Sequence, residues 1–153
     1  MIIKKFKKSD SAALLALIEK MISYHRRLDS YYRPFDQFPD WEETFQNWLK
    51  DKEMMVFLVE IDGKIVGYLR AGVEKAPDYA TAKKIGIIYD VFISEPERRR
   101  GIARKLFDSA LEWFNLKKAK RLELSVDARN PGGIKFWNAL GFFEYKLRMR
   151  KDL

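Results

Sequence analysis

Residues 84–116 read KIGIIYDVFISEPERRRGIARKLFDSALEWFNL, and this stretch determines the class of fold. It begins with a nearly continuous apolar run at 84–93, which predicts a strand buried on both faces in the centre of a sheet. A charged turn follows, and apolar residues then return at helical spacing as far as about residue 117. We therefore predict a strand, a turn and an amphipathic helix, whose inward-facing residues are Ile102, Leu106, Ala110 and Trp113.

The N-terminal half contains one hairpin and two helix patterns. Asp62-Gly63 lies between the apolar runs MMVFLVEI and KIVGYLRAGVE, and this pair favours a two-residue type I′ turn. Asp40 begins a capping-box pattern at a helix start. Two prolines break the segment 29–39, which we interpret as a loop. The remaining predicted elements are a strand at 1–7, a helix at about 11–28 capped by Asp10, and a helix at about 41–50.

The C-terminal part continues the alternation of strands and helices. RLELSV (121–126) alternates as a strand does, and Asn130-Pro131 is typical of a helix start. Gly141 ends that helix, and FFEYKLRM (142–149) is predicted to be a final strand. This order predicts a mixed sheet with helices on its faces, of the α+β or α/β class.

The composition excludes several kinds of site. The 153 residues are 47% apolar and 34% charged, which predicts one folded domain over 1–153. The chain has no cysteine and one histidine, which excludes disulfides and thiolate nucleophiles and predicts no metal site. No apolar run reaches the roughly 18 residues of a membrane span, and the basic N-terminus lacks the apolar core of a signal peptide. We therefore expect a cytoplasmic protein with no membrane partner.

The charge and the turn after residue 93 both favour an anionic ligand. Thirty Lys and Arg against 22 Asp and Glu give a net charge of +8, which attracts nucleic acid or a phosphorylated cofactor. Backbone N–H groups at a helix start can surround a phosphate, and Gly101 removes a side chain that would block it. The turn lacks the GxxxxGK[ST] and GxGxxG patterns. An ordinary strand-to-helix turn with solvated arginines is the alternative.

Two segments carry a resemblance to a known family. Arg98-x-x-Gly101-x-Ala103, directly after a strand, resembles motif A of the GNAT superfamily of acetyl-CoA-dependent N-acyltransferases. The stretch NPGGIKFWNALGF at 130–142 is similar to the Asn-x-x-Ala-x-x-x-Tyr-x-x-x-Gly-Phe segment of that superfamily. The resemblance implies an α+β (α/β three-layer) fold. Its mixed, mostly antiparallel central sheet would have six to seven strands, splayed at the central strands and flanked by about four helices.

The resemblance also implies where acetyl-CoA binds. The backbone amides of the turn would hold the pyrophosphate, and the exposed backbone of the preceding strand would pair with the pantetheine arm. Asn130 would contact the cofactor from the other side, and Phe136 would pack near the thioester. The implied cofactor-binding residues are Val91, Phe92, Ile93, Arg98, Arg99, Arg100, Gly101, Ile102, Ala103, Arg104, Asn130 and Phe136.

Trp137 departs from the family pattern at a position that concerns catalysis. It stands where many members have a Tyr that protonates the leaving thiolate, and an indole N–H cannot serve as a general acid. The candidate replacements are Tyr145, Tyr89 and Tyr24. For the general base, Asp90 is the nearest carboxylate, and strand alternation should direct only one of Tyr89 and Asp90 toward the substrate.

The residues 28–49 suggest an acceptor. They contain five acids, one base and seven aromatic residues in a chain that is otherwise basic. Because carboxylates and aromatic faces both favour cations, we predict a cationic amine, small molecule or lysine-like side chain, bound by Tyr31, Tyr32 and Asp36. Alternatively the aromatic residues belong to the core and the acids cap a helix.

The sequence therefore predicts transfer of an acetyl group from acetyl-CoA to a primary amine, by direct attack in a ternary complex. Two alternatives stay open. One is a basic domain that binds single-stranded nucleic acid, and the other is a GNAT-like protein that binds coenzyme A without catalysis. The family resemblance also raises a homodimer as an expectation.

Overall fold

A five-stranded sheet forms the centre of the computed structural model, which describes residues 1–38 and 40–153. In order across the sheet, the strands are β1 (Ile2–Lys5), β2 (Met54–Ile61), β3 (Lys64–Lys75), β4 (Lys84–Ile93) and β5 (Leu122–Leu124). Strands β1 to β4 are antiparallel to their neighbours, and β5 is parallel to β4. The predicted mixed, mostly antiparallel sheet is confirmed. Strand β4 has neighbours on both sides, as predicted, but only along its first half, and the middle strand of the sheet is β3.

Four helices cover the sheet, as predicted. They are α1 (Ser11–Leu28), α2 (Trp41–Lys50), α3 (Ile102–Leu116) and α4 (Pro131–Ala139). Asp40 Oδ1 accepts hydrogen bonds from the first backbone amides of α2, as the capping pattern predicts. Asp10 makes no side-chain cap on α1 and pairs with Lys4 instead. Among the described residues, no helix is both long and apolar enough to cross a lipid bilayer. Pro39, in the predicted loop 29–39, lies outside the described residues.

The hairpin between β2 and β3 confirms the turn prediction. Asp62 has φ of 49° and Gly63 has φ of 75°, both in the left-handed region that a type I′ turn requires. The antiparallel register that follows aligns β2 and β3 along eight residue pairs. The apolar runs on both sides of the turn therefore form the inner strands of the sheet.

The two faces of the sheet bury separate cores, which gives the predicted three layers. We name them by their helices, the α1/α2 face and the α3/α4 face. The core of the α1/α2 face includes Leu14, Ile18, Phe45, Leu58 and Tyr68. The core of the α3/α4 face includes the four predicted inward residues of α3, together with Leu69, Ala71 and Trp137.

A β-bulge interrupts the pairing of β3 with β4. Arg70 lies opposite Asp90 and Ala71 lies opposite Ile88, so Tyr89 is one extra residue in β4. Tyr89 and Asp90 both contact Arg70, on the α1/α2 face, and side-chain alternation resumes after them. The bulge therefore places two consecutive side chains of β4 on one face.

Strands β4 and β5 separate at the same level. Their parallel pairing covers three residue pairs and ends where Ile88 faces Leu124. Strand β4 continues to Ile93 with β3 as its only neighbour among the described residues. The splay that the resemblance implied is therefore present, and it opens a cleft beside the second half of β4.

The prediction of a final strand at 142–149 is wrong. No described residue from 142 to 153 belongs to a strand or a helix. The segment contacts the rest of the molecule through side chains, such as Tyr145, whose hydroxyl donates a 2.6 Å hydrogen bond to Glu123. Alternation predicts which side chains share a face, but a strand also needs a neighbour within backbone hydrogen-bonding distance. The described sheet accordingly has five strands rather than six to seven.

Candidate functional site

A cavity of about 600 Å³ occupies the cleft between β4 and β5. Helices α1 and α2 cover it on one side, and α4 closes the other. Its wall includes Tyr68 and Arg70 of β3 and the bulge residues Tyr89 and Asp90 of β4. The bulge explains why both of these β4 side chains reach the cavity, whereas simple alternation predicted only one.

The backbone of β4 is open toward this cleft. The Ser94 N–H donates to the Val66 carbonyl at 2.8 Å, which fixes which residues of β4 form hydrogen-bonded pairs with β3. Every second residue of a strand directs its N–H and C=O groups to the same neighbour, so Phe92, like Ser94, faces β3. The N–H and C=O groups of Val91 and Ile93 therefore face the cleft. Two of the three predicted backbone contacts are thus available to a ligand. The prediction for the Phe92 backbone is corrected, since β3 already pairs with it.

The turn between β4 and α3 has the conformation of an anion cradle. Arg99 has φ of 63° and Gly101 has φ of 73°, both left-handed, and Gly101 directly precedes α3. The first N–H groups of a helix have no partner within that helix, so those of Ile102 to Arg104 point out of its N-terminus. A Cβ atom on Gly101 would meet no protein atom within 4 Å. The space in front of the turn is therefore open.

The arginines of the turn have different roles. Arg98 Nε donates to the Ile93 carbonyl at 3.0 Å, and its guanidinium lies 5.5 Å from the centre of the Phe92 ring. Arg100 forms an ion pair with Glu97. Arg98 therefore holds the turn against β4 and uses one carbonyl of the open edge. These internal contacts do not favour a continuous basic surface for nucleic acid.

Asn130 lies across the cleft and connects α4 with α1. Its Oδ1 accepts hydrogen bonds from the Gly133 N–H at 3.0 Å and from the Tyr24 hydroxyl at 3.2 Å. Asn130 therefore caps α4, and its Nδ2 group is the donor that it can offer to a ligand. A Cβ on Gly133 would lie 2.7 Å from that Nδ2 atom. Glycine at the position where the family often has Ala thus makes room for this orientation of Asn130.

Trp137 and Phe136 form the α4 wall of the cavity. Trp137 is 7% exposed and packs against Phe107 and Phe142, with ring centres 6.2 Å and 5.4 Å away. The Phe136 ring is 4.8 Å from the Trp137 ring and lines the cavity. Trp137 is therefore part of the core as well as part of the wall.

Arg70 organises the polar part of the cavity. Its guanidinium lies between the rings of Trp48 and Tyr89, at 4.7 Å and 4.6 Å from their centres. Its Nε donates to Asp90 Oδ2 at 2.6 Å. The ion pair engages one carboxylate oxygen of Asp90, the candidate base. Arg70 and Asp90 both lie in the wall that a substrate would contact.

The three candidate tyrosines direct their hydroxyl hydrogens to other groups. Tyr24 donates to Asn130, and Tyr89 donates to Glu74 at 2.7 Å. Burial and that hydrogen bond raise the pKa of Tyr89 to about 12. Tyr145 lies outside the cavity wall, and its hydrogen bond to Glu123 raises the pKa of its phenol. These contacts disfavour all three as acids for a departing thiolate.

The predicted acceptor residues separate into two groups. Tyr32 lines the cavity, together with the aromatic residues Phe38, Trp41 and Trp48. Tyr31 is 76% exposed, and neither it nor the exposed Asp36 lies in the cavity wall. The structure therefore brings one of these three predicted residues to the cavity and leaves two on the outer surface.

The acids of the 28–49 segment also face away from the cavity. Asp29 accepts hydrogen bonds from Arg129 at 2.9 Å and from Arg150 at 2.6 Å, and Asp40 caps α2. These pairs lower the pKa of the Asp29 carboxyl well below its ordinary range. The alternative reading of these acids, as structural groups, is the better description.

Asp29 should make the stability of the fold depend on pH. Because its pKa is lower in the folded than in the unfolded chain, its contribution is present above about pH 4 and is lost as the pH falls. We expect Asp29→Asn to lower Tm at pH 7, and the difference from the parent chain to shrink between about pH 4 and pH 2. Thermal unfolding at several pH values measures this. Asp36→Asn is the matched control, and an equal loss in both variants would contradict the role of the ion pairs.

Three buried polar atoms in the cavity wall were missed by sequence reasoning. Tyr68 OH, His25 Nδ1 and Trp41 Nε1 have no hydrogen-bond partner among the described residues. Tyr68 stands in an apolar strand and His25 on the inward face of α1, so their sequence pattern indicates only burial. Within residues 1–38 and 40–153, no cluster of three metal-ligating side chains is found.

Sequence comparisons place these features in a family context. A family model described as the acetyltransferase (GNAT) family matches residues 20–142. An uncharacterized N-acetyltransferase of Methanocaldococcus jannaschii is 30% identical over 118 residues, which are 74% of this chain and 52% of that protein. An N-alpha-acetyltransferase of Sulfurisphaera tokodaii is 29% identical over 108 residues, 67% of this chain and 65% of that protein. The chain thus spans about half and about two thirds of these relatives.

Solved structures share the same fold. The BH1408 protein of Bacillus halodurans, solved as a tetramutant, has a TM-score of 0.88 at 22% identity, covering 100% of both chains. The aminoglycoside N-acetyltransferase AAC(6')-Iy in complex with CoA has a TM-score of 0.81 at 18% identity, covering 99% of this chain and 93% of that one. Similarity at this level of identity shows the arrangement of strands and helices.

Proposed function

Since this chain belongs to the GNAT acetyltransferase family, we propose that it is an N-acetyltransferase that uses acetyl-CoA and a primary amine. The observation that carries the proposal is the separation of β4 from β5, which opens a strand edge directly before an anion cradle. A ligand with an amide-containing arm and a pyrophosphate needs both features in this order. The two relatives named as N-acetyltransferases support the same reaction class.

The cofactor residues are proposed as follows. The amides of the turn, from Arg99 to Arg104, would hold the pyrophosphate at the N-terminus of α3. The backbone of Val91 and the N–H of Ile93, whose carbonyl already accepts from Arg98, would bind the amides of pantetheine, as an added strand would. Asn130 Nδ2 would donate a hydrogen bond from the α4 side, and Phe136 would pack against the thioester end. Each of these groups borders the cleft or the open turn.

The reaction needs a neutral amine close to the thioester. Acetyl-CoA supplies the acetyl group: the amine nitrogen bonds to the carbonyl carbon, the C–S bond breaks, and CoA leaves as the thiol after the amine gives up its proton. The cavity positions the amine beside β4. Asp90 is our proposed base, acting through water, with Arg70 fixing its orientation. A thiolate leaves readily near neutral pH, so the proposal requires no dedicated acid.

The acceptor is proposed to be a primary amine. The carboxylates of the 28–49 segment are not proposed to bind it, in contrast to the expectation from the sequence. Asp29 is engaged in ion pairs and Asp40 in a helix cap, and none of the five acids of the 28–49 segment lines the cavity. Tyr32 stays a proposed acceptor-binding residue because it lines the cavity. A homodimer stays an expectation.

Acetyl-CoA titration followed by an amine screen tests the proposal. We expect calorimetry to show binding of acetyl-CoA and of desulfo-CoA, and a thiol-release assay to show turnover of acetyl-CoA that depends on an added amine. Binding without amine-dependent thiol release would favour the catalytically inactive CoA-binding protein. Absence of binding would reject the proposal, and salt-sensitive binding to single-stranded nucleic acid would then be examined.

A further inference from the structure

Tyr68 places a polar group deep in the cavity wall. Its side chain is 0% exposed in the middle of β3, and its hydroxyl has no hydrogen-bond partner among the described residues. A buried hydroxyl without a partner costs free energy, and such groups in native proteins usually have a functional reason. Because the residue also lines the cavity, a molecule bound there is a candidate for the missing partner of this hydroxyl.

The surroundings of Tyr68 keep its phenol neutral. Burial, together with the neighbouring Asp90 carboxylate, raises the pKa of Tyr68 well above its ordinary value. A neutral phenol can accept a hydrogen bond from an amine N–H and can donate one to a carbonyl. Arg70 and Asp90, on the same face, already neutralise each other. The polar end of the cavity therefore offers directed hydrogen bonds rather than net charge.

Three aromatic rings of the cavity wall already contact an internal cation. Arg70 occupies the faces of Trp48 and Tyr89, and Arg33 lies 5.1 Å from the centre of the Phe38 ring. On these three rings, an internal cation occupies a position from which a cationic substrate would gain cation–π attraction. What the aromatic residues still offer is apolar contact area.

We propose that the acceptor is a primary amine attached to an apolar or aromatic body, and that Tyr68 OH is a positioning group that accepts a hydrogen bond from the amine. This inference rests on the proposed function and specifies its substrate class. The aromatic residues of α2 and of the preceding loop hold the body, and the hydroxyl orients the nitrogen near Asp90. A free arylalkylamine and the N-terminus of a polypeptide that begins with an apolar residue share this chemistry.

The substrate class is tested with three amines in the thiol-release assay. Phenethylamine represents a free arylalkylamine, a tetrapeptide with N-terminal leucine represents a polypeptide, and spermidine represents a polycation. We expect kcat/KM to be at least about tenfold higher for phenethylamine or the tetrapeptide than for spermidine. Whichever of these two reacts faster shows whether the acceptor is a free arylalkylamine or a polypeptide N-terminus. Equal or faster turnover of spermidine overturns the inference while the proposed function stands. Acetyl-CoA binding without turnover of either apolar amine also overturns it.

Tyr68→Phe tests the hydroxyl directly. We expect a loss of about tenfold in kcat/KM for the preferred amine, with the Kd for acetyl-CoA unchanged and Tm unchanged or higher. A hydroxyl with a structural role would instead lower Tm. Tyr79→Phe, at a side chain that is 90% exposed, removes the same atom away from the cavity and is expected to change none of these values. Unchanged kcat/KM in Tyr68→Phe overturns the assignment.

Discussion

Gly101→Glu is expected to weaken acetyl-CoA binding by at least about a hundredfold. The substitution puts a carboxylate in front of the N–H groups that we propose for the pyrophosphate. Like charges brought together in a binding site cost several kcal/mol, and a hundredfold loss corresponds to about 2.7 kcal/mol. Calorimetric titration with acetyl-CoA measures the change. A Cβ at Gly101 meets no protein atom within 4 Å, so the cost to folding is limited to left-handed backbone strain.

Gly63→Glu is the matched control for this experiment. Gly63 has φ of 75°, close to the 73° of Gly101, and a Cβ there also meets nothing within 4 Å. Both variants should therefore lose a similar stability, of about 1–2 kcal/mol, from left-handed backbone strain. Only Gly101→Glu should lose affinity for acetyl-CoA. Wild-type affinity in Gly101→Glu would show that the pyrophosphate binds elsewhere.

Trp137→Ala is expected to destabilise the fold by about 3–5 kcal/mol. The side chain is 7% exposed and fills the space between three aromatic rings on the α3/α4 face. Its removal leaves a cavity that the rigid sheet cannot close, and Tm should fall by roughly 10 °C for a chain of this length. Chemical and thermal unfolding measure both quantities.

Phe143→Ala is a control for the loss of an aromatic side chain. Phe143 lies six residues further along the chain and is 81% exposed, so its removal should change the stability by less than about 0.5 kcal/mol. A similar small loss in Trp137→Ala would contradict the assignment of Trp137 to the core.

Local signals in the sequence were sufficient for the helices and the hairpin. Asp40, Asn130 and Gly141 mark helix ends through their own side chains or backbone preferences, and the structure confirms each position. Asp62-Gly63 determines a turn in the same local way. The family motif at 98–103 adds the location of the cradle, because the cradle is one continuous segment.

The corrections concern relations between distant segments. The alternation in 142–149 is local, but whether this segment pairs with β5 depends on a distance that the sequence does not contain. The charge of the 28–49 segment was visible, yet Asp29 meets Arg129 and Arg150, which lie about a hundred residues further along the chain. Long-range ion pairs of this kind engage Asp29, and the local charge pattern does not contain them. The sequence likewise could not show that the Tyr68 hydroxyl has no partner, because that depends on which distant segments pack around it.

The polar wall of the cavity depends on a length mismatch of one residue between β3 and β4. Tyr89 is the extra residue, and a chain without it could pair β3 and β4 regularly while every other side chain of β4 kept its own face. One three-nucleotide deletion in the coding sequence would thus remove one of the two adjacent side chains that β4 presents to the cavity, and β3 and β4 would still pair. A single codon separates the chemistry of this wall from the pairing of the strand that carries it.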